Sequence, residues 1–123
     1  MSKFLFVSYD ALISDVAWEV AKEGHEVKYF IRTEEDREIA DGFVAKSDDW
    51  ERDAEWADVI VFDDVLGMGA DAQRMRLSGK RVVGGTPYTD RLEDDRAFGQ
   101  FELKAAGVPI IPQENFTSFS EAI

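Results

Sequence analysis

Apolar positions along this chain fall into two alternating rhythms. Phe4-Leu5-Phe6-Val7 is a continuous apolar run, the pattern of a strand buried on both faces. Asp10 then stands where an N-cap would, and Ile13, Val16, Ala17, Val20 and Ala21 follow at helical spacing up to Gly24, which suits the left-handed position just past a helix end. Glu26 to Ile31 predicts a second strand. Thr33 with Asp36 has the spacing of a capping box for a short helix ending near Asp41. Gly42-Phe43-Val44-Ala45 predicts a weak third strand, and Ser47 opens a helix with Trp50, Ala54 and Ala57 on one face. Val59-Ile60-Val61-Phe62 is a second fully apolar strand. A helix over Gly69 to Leu77 stops at Gly79, and Arg81-Val82-Val83 forms the next strand. A long helix is then expected from about Asp90 to Ala106, with Phe98, Phe101 and Ala105 as its inner stripe; Gly107 and Pro109 end it.

Strands alternating with helices make parallel βαβ units. The expected fold is therefore α/β: an open, mostly parallel, Rossmann-like sheet with helices on both faces. Residues 1–112 form that domain and 113–123 a linker leading into a further helix. Ser118-Phe119-Ser120-Glu121 has capping-box spacing, yet only Ala122 and Ile123 follow. A helix nucleated there and left unfinished is unstable alone, so a partner domain is expected downstream. No internal repeat or low-complexity linker interrupts the pattern.

Composition narrows the functional classes. The 123 residues suit one core. Without cysteine, disulfides, thiolate metal sites and cysteine nucleophiles are excluded. The first apolar run is too short for a signal-peptide core, and no later run approaches a membrane span, which points to the cytoplasm. Twenty-six acids against 14 bases give a net charge of −12. Such a surface repels nucleic acid and anionic membrane, so neither is an expected partner. The acids are scattered, and only 6 of the bases are lysine. That balance is what a salt-adapted, halophilic cytoplasm favours, because high salt screens self-repulsion.

In open α/β sheets ligands bind beyond the carboxyl ends of the strands. The loops to inspect are Ser8-Tyr9-Asp10, Ile31-Arg32-Thr33, Asp63-Asp64-Val65 and Gly84-Gly85-Thr86-Pro87. Asp63 and Asp64 could take a substrate amine or hydroxyl, or a metal through water; a solvated loop explains them equally. Gly85, Thr86 and Pro87 lead into a helix whose N–H groups suit a phosphate or carboxylate; a plain turn is the alternative. Gly67-Met68-Gly69-Ala70-Asp71-Ala72 fits the dinucleotide fingerprint G-x-G-x-x-A. It follows a late strand, with two aspartates where a pyrophosphate would sit, so glycines easing a turn explain it better. His25, the only histidine, follows a helix-ending glycine and is expected to be structural. No serine has a histidine placed to form a triad, and no P-loop pattern occurs.

From Val83 onward the chain resembles the ATP-grasp superfamily, and most of all phosphoribosylamine–glycine ligase. The matching stretches are Val83-Gly84-Gly85-Thr86, Leu92-Glu93-Asp94-Asp95-Arg96-Ala97-Phe98, and Leu103-Lys104-Ala105-Ala106-Gly107-Val108-Pro109, with Phe116, Ser118, Glu121 and Ala122 on the family's F-x-x-x-x-E-A ending. Ala17-Trp18 also falls on the family's A-W. Asp10-Ala11-Leu12-Ile13-Ser14-Asp15 stands where the ligase carries G-G-R-E-H-A, and Arg96 replaces its nucleotide-contacting lysine. Arginine keeps the charge in a different shape.

The resemblance implies ATP-dependent phosphorylation of a carboxylate and attack of an amine on the acyl phosphate, as in purine biosynthesis. Magnesium bridges the nucleotide phosphates. Phosphoribosylamine and glycine, or analogues, are the implied substrates. This chain would be the front domain, shaping the substrate site through Tyr9, Asp10, Asp63, Asp64, Gly85, Thr86 and Pro87, with Arg96 on the nucleotide. ATP and Mg2+ would be held mostly by the downstream ATP-grasp domain, with none tightly bound here. The alternative is a Rossmann-type nucleotide or nucleotide-sugar binding module. A receiver-type regulatory domain is disfavoured, because only Asp10 stands at the end of the first strand, where an acidic cluster is required.

Overall fold

The computed structural model describes residues 1–63 and 67–123. Five strands, β1 (Lys3–Ser8), β2 (Glu26–Ile31), β3 (Ala45–Lys46), β4 (Val59–Phe62) and β5 (Arg81–Val83), form one sheet in the order β3-β2-β1-β4-β5. Every pairing is parallel. β1 is central, and its run of apolar residues is explained by burial on both sides: Leu5 and Val7 face one layer, Phe6 the other. Helix α1 (Ser14–Lys22) covers the Phe6 side with Ala17, Val20 and Ala21. Helices α2 (Trp50–Ala54) and α3 (Gly69–Leu77) cover the Leu5 side with Trp50, Ala54, Ala72 and Met75. The sheet thus carries helices on both faces, as the periodicity predicts.

Glycine ends helices where expected. Gly24 and Gly79 lie in the left-handed region at φ 90° and 89°, a backbone state that costs other residues a steric clash. Several local expectations are corrected. Asp10 does not cap α1; Ile13 flanks the helix, and the Asp10 carboxylate instead accepts from Thr33 Oγ1 at 2.6 Å. Thr33 is therefore spent, and the segment after it is a single 3-10 turn over Glu34–Asp36 with no side-chain cap. The third strand lies at Ala45–Lys46, overlapping the expected Gly42–Ala45 only at Ala45. Asp49, not Ser47, caps α2, accepting from the Arg52 N–H at 3.1 Å. Ser47 donates instead to Asp53, at 2.6 Å.

The largest departure is the expected helix over 90–106. It is two helices, α4 (Pro87–Asp94) and α5 (Arg96–Ala105), broken at Asp95, which has extended backbone and accepts from the Phe98 N–H at 3.0 Å. The pair folds as a hairpin: Gly99 is buried against the Leu92 carbonyl, and Tyr88 meets the Phe98 ring edge-on at 5.7 Å. Phe101, expected on the inner stripe, is exposed. At the chain's end Ser118 makes no side-chain cap, and Glu121 accepts from the Thr117 N–H and hydroxyl.

Candidate functional site

The order β3-β2-β1-β4-β5 reverses direction at β1, so the crevice between the carboxyl ends of β1 and β4 is the topological switch point where such sheets bind ligands. Asp63, directly after β4, lies at its floor and is only 4% exposed. Its Oδ2 accepts a short hydrogen bond from the Ser8 hydroxyl and its Oδ1 accepts from the Tyr9 N–H at 3.1 Å. Its own N–H donates to the Val7 carbonyl at 3.1 Å. Asp63 thus ties the loop after β1 to the end of β4. The polar network continues beneath the crevice. Ser14 Oγ donates to the Ala11 carbonyl at 2.7 Å and lies 2.9 Å from Tyr29 Oη, which completes the pair as donor. Burial pushes the Tyr29 phenol above its ordinary value, against the lowering bonds from Ser14 and Ser8, and the Asp63 carboxylate adds to the rise. Tyr29 is a neutral hydrogen-bond donor here. Ala11, held at φ 62°, bends the chain from β1 toward α1.

Above that floor, β1 and β2 continue past their ladder. The Arg32 N–H donates to the Ser8 carbonyl and the Thr33 N–H to the Tyr9 carbonyl, both at 3.0 Å. Tyr9, Asp10, Arg32 and Thr33 are therefore fixed side by side, with Asp10 and Thr33 joined through their side chains. The Arg32 guanidinium lies 5.6 Å from the Tyr9 ring centroid and 3.4 Å from Asp71 in the first turn of α3. Asp71 also pairs with Arg74 at 3.0 Å, and Arg74 reaches Glu51 at 2.6 Å. Those two acids, Asp71 first, raise the Arg74 pKa and keep it charged.

On the far side of the crevice the loop after β5 is pinned from below. Arg76 donates to the Gly84 and Gly85 carbonyls, the latter at 2.6 Å. Thr86 caps α4 by accepting from the Thr89 N–H, while its own N–H donates to Thr89 Oγ1 at 2.7 Å; Pro87 fills the first helical position. Gly69 at the start of α3 is packed so tightly that a Cβ there would overlap the Thr86 carbonyl. Its N–H donates to the Asp90 carboxylate at 3.0 Å. An internal carboxylate thus occupies the α3 N-terminus, where the fingerprint would seat a pyrophosphate.

The remaining sequence candidates are dispersed. Arg96 opens α5, is exposed, and donates from Nε to Gln113 Oε1 at 2.8 Å. Asp64 lies outside the described residues. His25 is structural: Nδ1 accepts from the Ser2 N–H at 3.1 Å, and the ring packs on Phe4. Among the described residues no three carboxylate or histidine groups converge on a metal position. Nor is any helix among them long and apolar enough to cross a membrane. A separate cavity of about 330 Å3 opens at the carboxyl ends of β2 and β3, lined by Phe30, Arg37, Glu38, Lys46 and Asp48. Lys46 there is spent on the Arg37 and Ile39 carbonyls and on Asp41.

With this geometry in view, comparison with known proteins adds the fold's relatives. No protein-family model and no curated protein matches the chain in sequence. Solved structures do match in shape. The N5-carboxyaminoimidazole ribonucleotide synthetase of Thermotoga maritima superposes over 99% of this chain with a TM-score of 0.71 and 18% identity. An imine reductase variant of Myxococcus stipitatus, in complex with NAD+, superposes over 81% with a TM-score of 0.56 and 16% identity. The chain spans 35% and 36% of the lengths of these two proteins. At such identities the likeness establishes the fold: this chain is folded like a domain of a ribonucleotide synthetase.

Sequence reasoning located the strand-end loops and missed how they connect. Arg32 and Thr33 were visible as a strand-end loop, but the pairing of Arg32 with Asp71 spans 39 positions and has no local signal. Ser8 was legible only as a residue after an apolar run. Its role depends on Asp63, 55 positions away.

Proposed function

We propose that this chain is the substrate-side front domain of an ATP-grasp carboxylate–amine ligase, similar to phosphoribosylamine–glycine ligase. The observation that carries this is the superposition of nearly the whole chain on a ribonucleotide synthetase. The ATP-grasp-like text from Val83 to Pro109 supports it independently. In the intact enzyme ATP, with Mg2+, supplies the phosphoryl group that activates a carboxylate for amide-type bond formation. Both are held mostly by later domains, with Arg96 reaching the nucleotide from this one.

This chain's residues shape and orient. Asp63 and Ser8 hold the β1 loop that carries Tyr9 and Asp10 beside the crevice. One Asp10 carboxylate oxygen is taken by Thr33; the other is offered to a substrate amine or hydroxyl, and Gly85, Thr86 and Pro87 form the opposite wall. Phe101, Ile111 and Phe119 are exposed on the C-terminal part. We place the downstream ATP-grasp domain against them, since large apolar side chains left exposed suit an interaction face. The substrate is a small molecule of the phosphoribosylamine and glycine class or an analogue, handled in the cytoplasm.

A second reading, a Rossmann-type nucleotide module, is favoured by the likeness to the NAD+-bound reductase. Asp90 on the Gly69 N–H weighs against it. Calorimetry of the 123-residue chain with ADP, NAD and ribose 5-phosphate separates the two. The ligase reading expects a response to ribose 5-phosphate and none to NAD. Tight NAD binding refutes it.

A further inference from the structure

We infer that Arg32 is the anion-recognition residue of the crevice, held in readiness by a displaceable ion pair with Asp71. This rests on the reading of the crevice as a substrate site and names what that site selects: a small molecule with an oxyanion beside a flat or sugar-like body. The strand-end loops of so acidic a chain need a cation to admit an anion at all. Among the described residues those loops carry only Arg32 as a cation, and Arg76, the cation beneath the β5 loop, is committed to the Gly84 and Gly85 carbonyls.

Three features make Arg32 the available one. Its backbone is locked, since its N–H and that of Thr33 extend the β1–β2 ladder. Its head is loosely held, with an ion pair of 3.4 Å to Asp71 and a 39% exposed side chain. Asp71 can release it cheaply, because Asp71 keeps Arg74 at 3.0 Å after Arg32 turns away. The guanidinium also lies over the Tyr9 ring at 5.6 Å. An oxyanion held by its planar fork would set the attached body against Tyr9. The pair joins the β2 loop to the first turn of α3, so ligand binding at Arg32 opens that bridge.

The test uses the 123-residue chain, titrated with inorganic phosphate, ribose 5-phosphate and, as a neutral control, ribose. NMR follows the Arg32 Nε–H and Tyr9 ring signals. Both anions are expected to shift these signals, and ribose alone to leave them. Arg32→Ala should weaken binding about tenfold, the worth of a charge-assisted hydrogen bond, with Arg32→Lys intermediate. Asp71→Asn should tighten it about threefold, because the competing carboxylate loses its charge. A gain of affinity cannot arise from misfolding, so that variant guards the result. Unchanged binding in Arg32→Ala, weaker binding in Asp71→Asn, or no response of Arg32 and Tyr9 to either anion overturns the inference. Tight NAD binding would instead register at Gly67–Ala72 and refute the ligase reading, while the phosphate arm still reports on Arg32.

Discussion

Asp63 is the residue whose role the structure makes most testable. As a ligand contact it would be replaceable at little cost in stability. As drawn by its partners it is structural: 4% exposed, with one oxygen on the Ser8 hydroxyl and the other on the Tyr9 N–H. A hydrogen bond to a charged group contributes roughly 1.5–3 kcal/mol. Asp63→Ala removes two and leaves the fully buried Ser8 hydroxyl with Tyr29 as its remaining side-chain partner. It also relieves the desolvation of the carboxylate, which offsets part of the loss. The net cost is about 2–4 kcal/mol. Unfolding entropy of roughly 2.1 cal/mol/K per residue amounts to about 0.26 kcal/mol/K for a chain of 123 residues. Tm should therefore fall by about 8–15 °C.

Thermal unfolding by circular dichroism measures this directly. A double-mutant cycle with Ser8→Ala should give a coupling of about 1–2 kcal/mol, since the two side chains touch. Asp63→Asn should cost about half as much as Ala, because one oxygen can still serve Tyr9 while the charge is lost. An Asp63→Ala protein that melts within about 2 °C of the parent and loses ribose 5-phosphate binding would refute the structural assignment and make Asp63 a ligand contact.

Asp53 should make stability acid-sensitive. Burial raises its pKa, but the bonds from Lys28 and Ser47 outweigh that and hold it below the ordinary carboxylate value. With the folded pKa lowered, the stabilisation is present above the unfolded value of about 3.9 and disappears as pH falls through the folded one. Urea midpoints between about pH 6 and 3 should drop more steeply for the parent than for Asp53→Asn, and equal slopes would refute the assignment. Gly69→Ala should cost about 3 kcal/mol or more, because a Cβ would overlap the Thr86 carbonyl and approach the Asp90 carboxylate within 2.6 Å; a Tm within about 4 °C of the parent would contradict that packing. The net charge of −12 predicts a higher Tm in molar potassium chloride than in dilute buffer, and an equal Tm would remove the case for a salt-adapted source.

The sheet was legible because its signals are local and strong. The runs Phe4–Val7 and Val59–Phe62 are apolar at every position, and only strands packed on both faces tolerate that. Glu26–Ile31, Val59–Phe62, Gly69–Leu77 and Arg81–Val83 are found with the bounds their patterns predict. The break at Asp95 was not legible. The stretch from Asp90 to Ala106 contains no proline and only one glycine, Gly99, so periodicity favours one helix. What decides otherwise is tertiary: the Asp95 side chain caps a new helix start, and Gly99 lets that helix fold back onto the Leu92 carbonyl. A cap residue inside a helical pattern is a competing start signal. Burial of Gly99 tips the balance at Asp95.

The crevice shows the same division with a functional consequence. Its loops could be located from strand ends alone, but their chemistry depends on which polar groups are already spent. Thr86 looks in sequence like part of an open anion cradle, yet its N–H donates to Thr89, and the Gly69 N–H donates to Asp90. Asp10 looks like a cap, yet its carboxylate holds Thr33. Each internal partner removes a group from the set that a ligand could use. Among the described residues of the strand-end loops the one cation is Arg32 beside Tyr9, loosely paired to an acid that has a second partner.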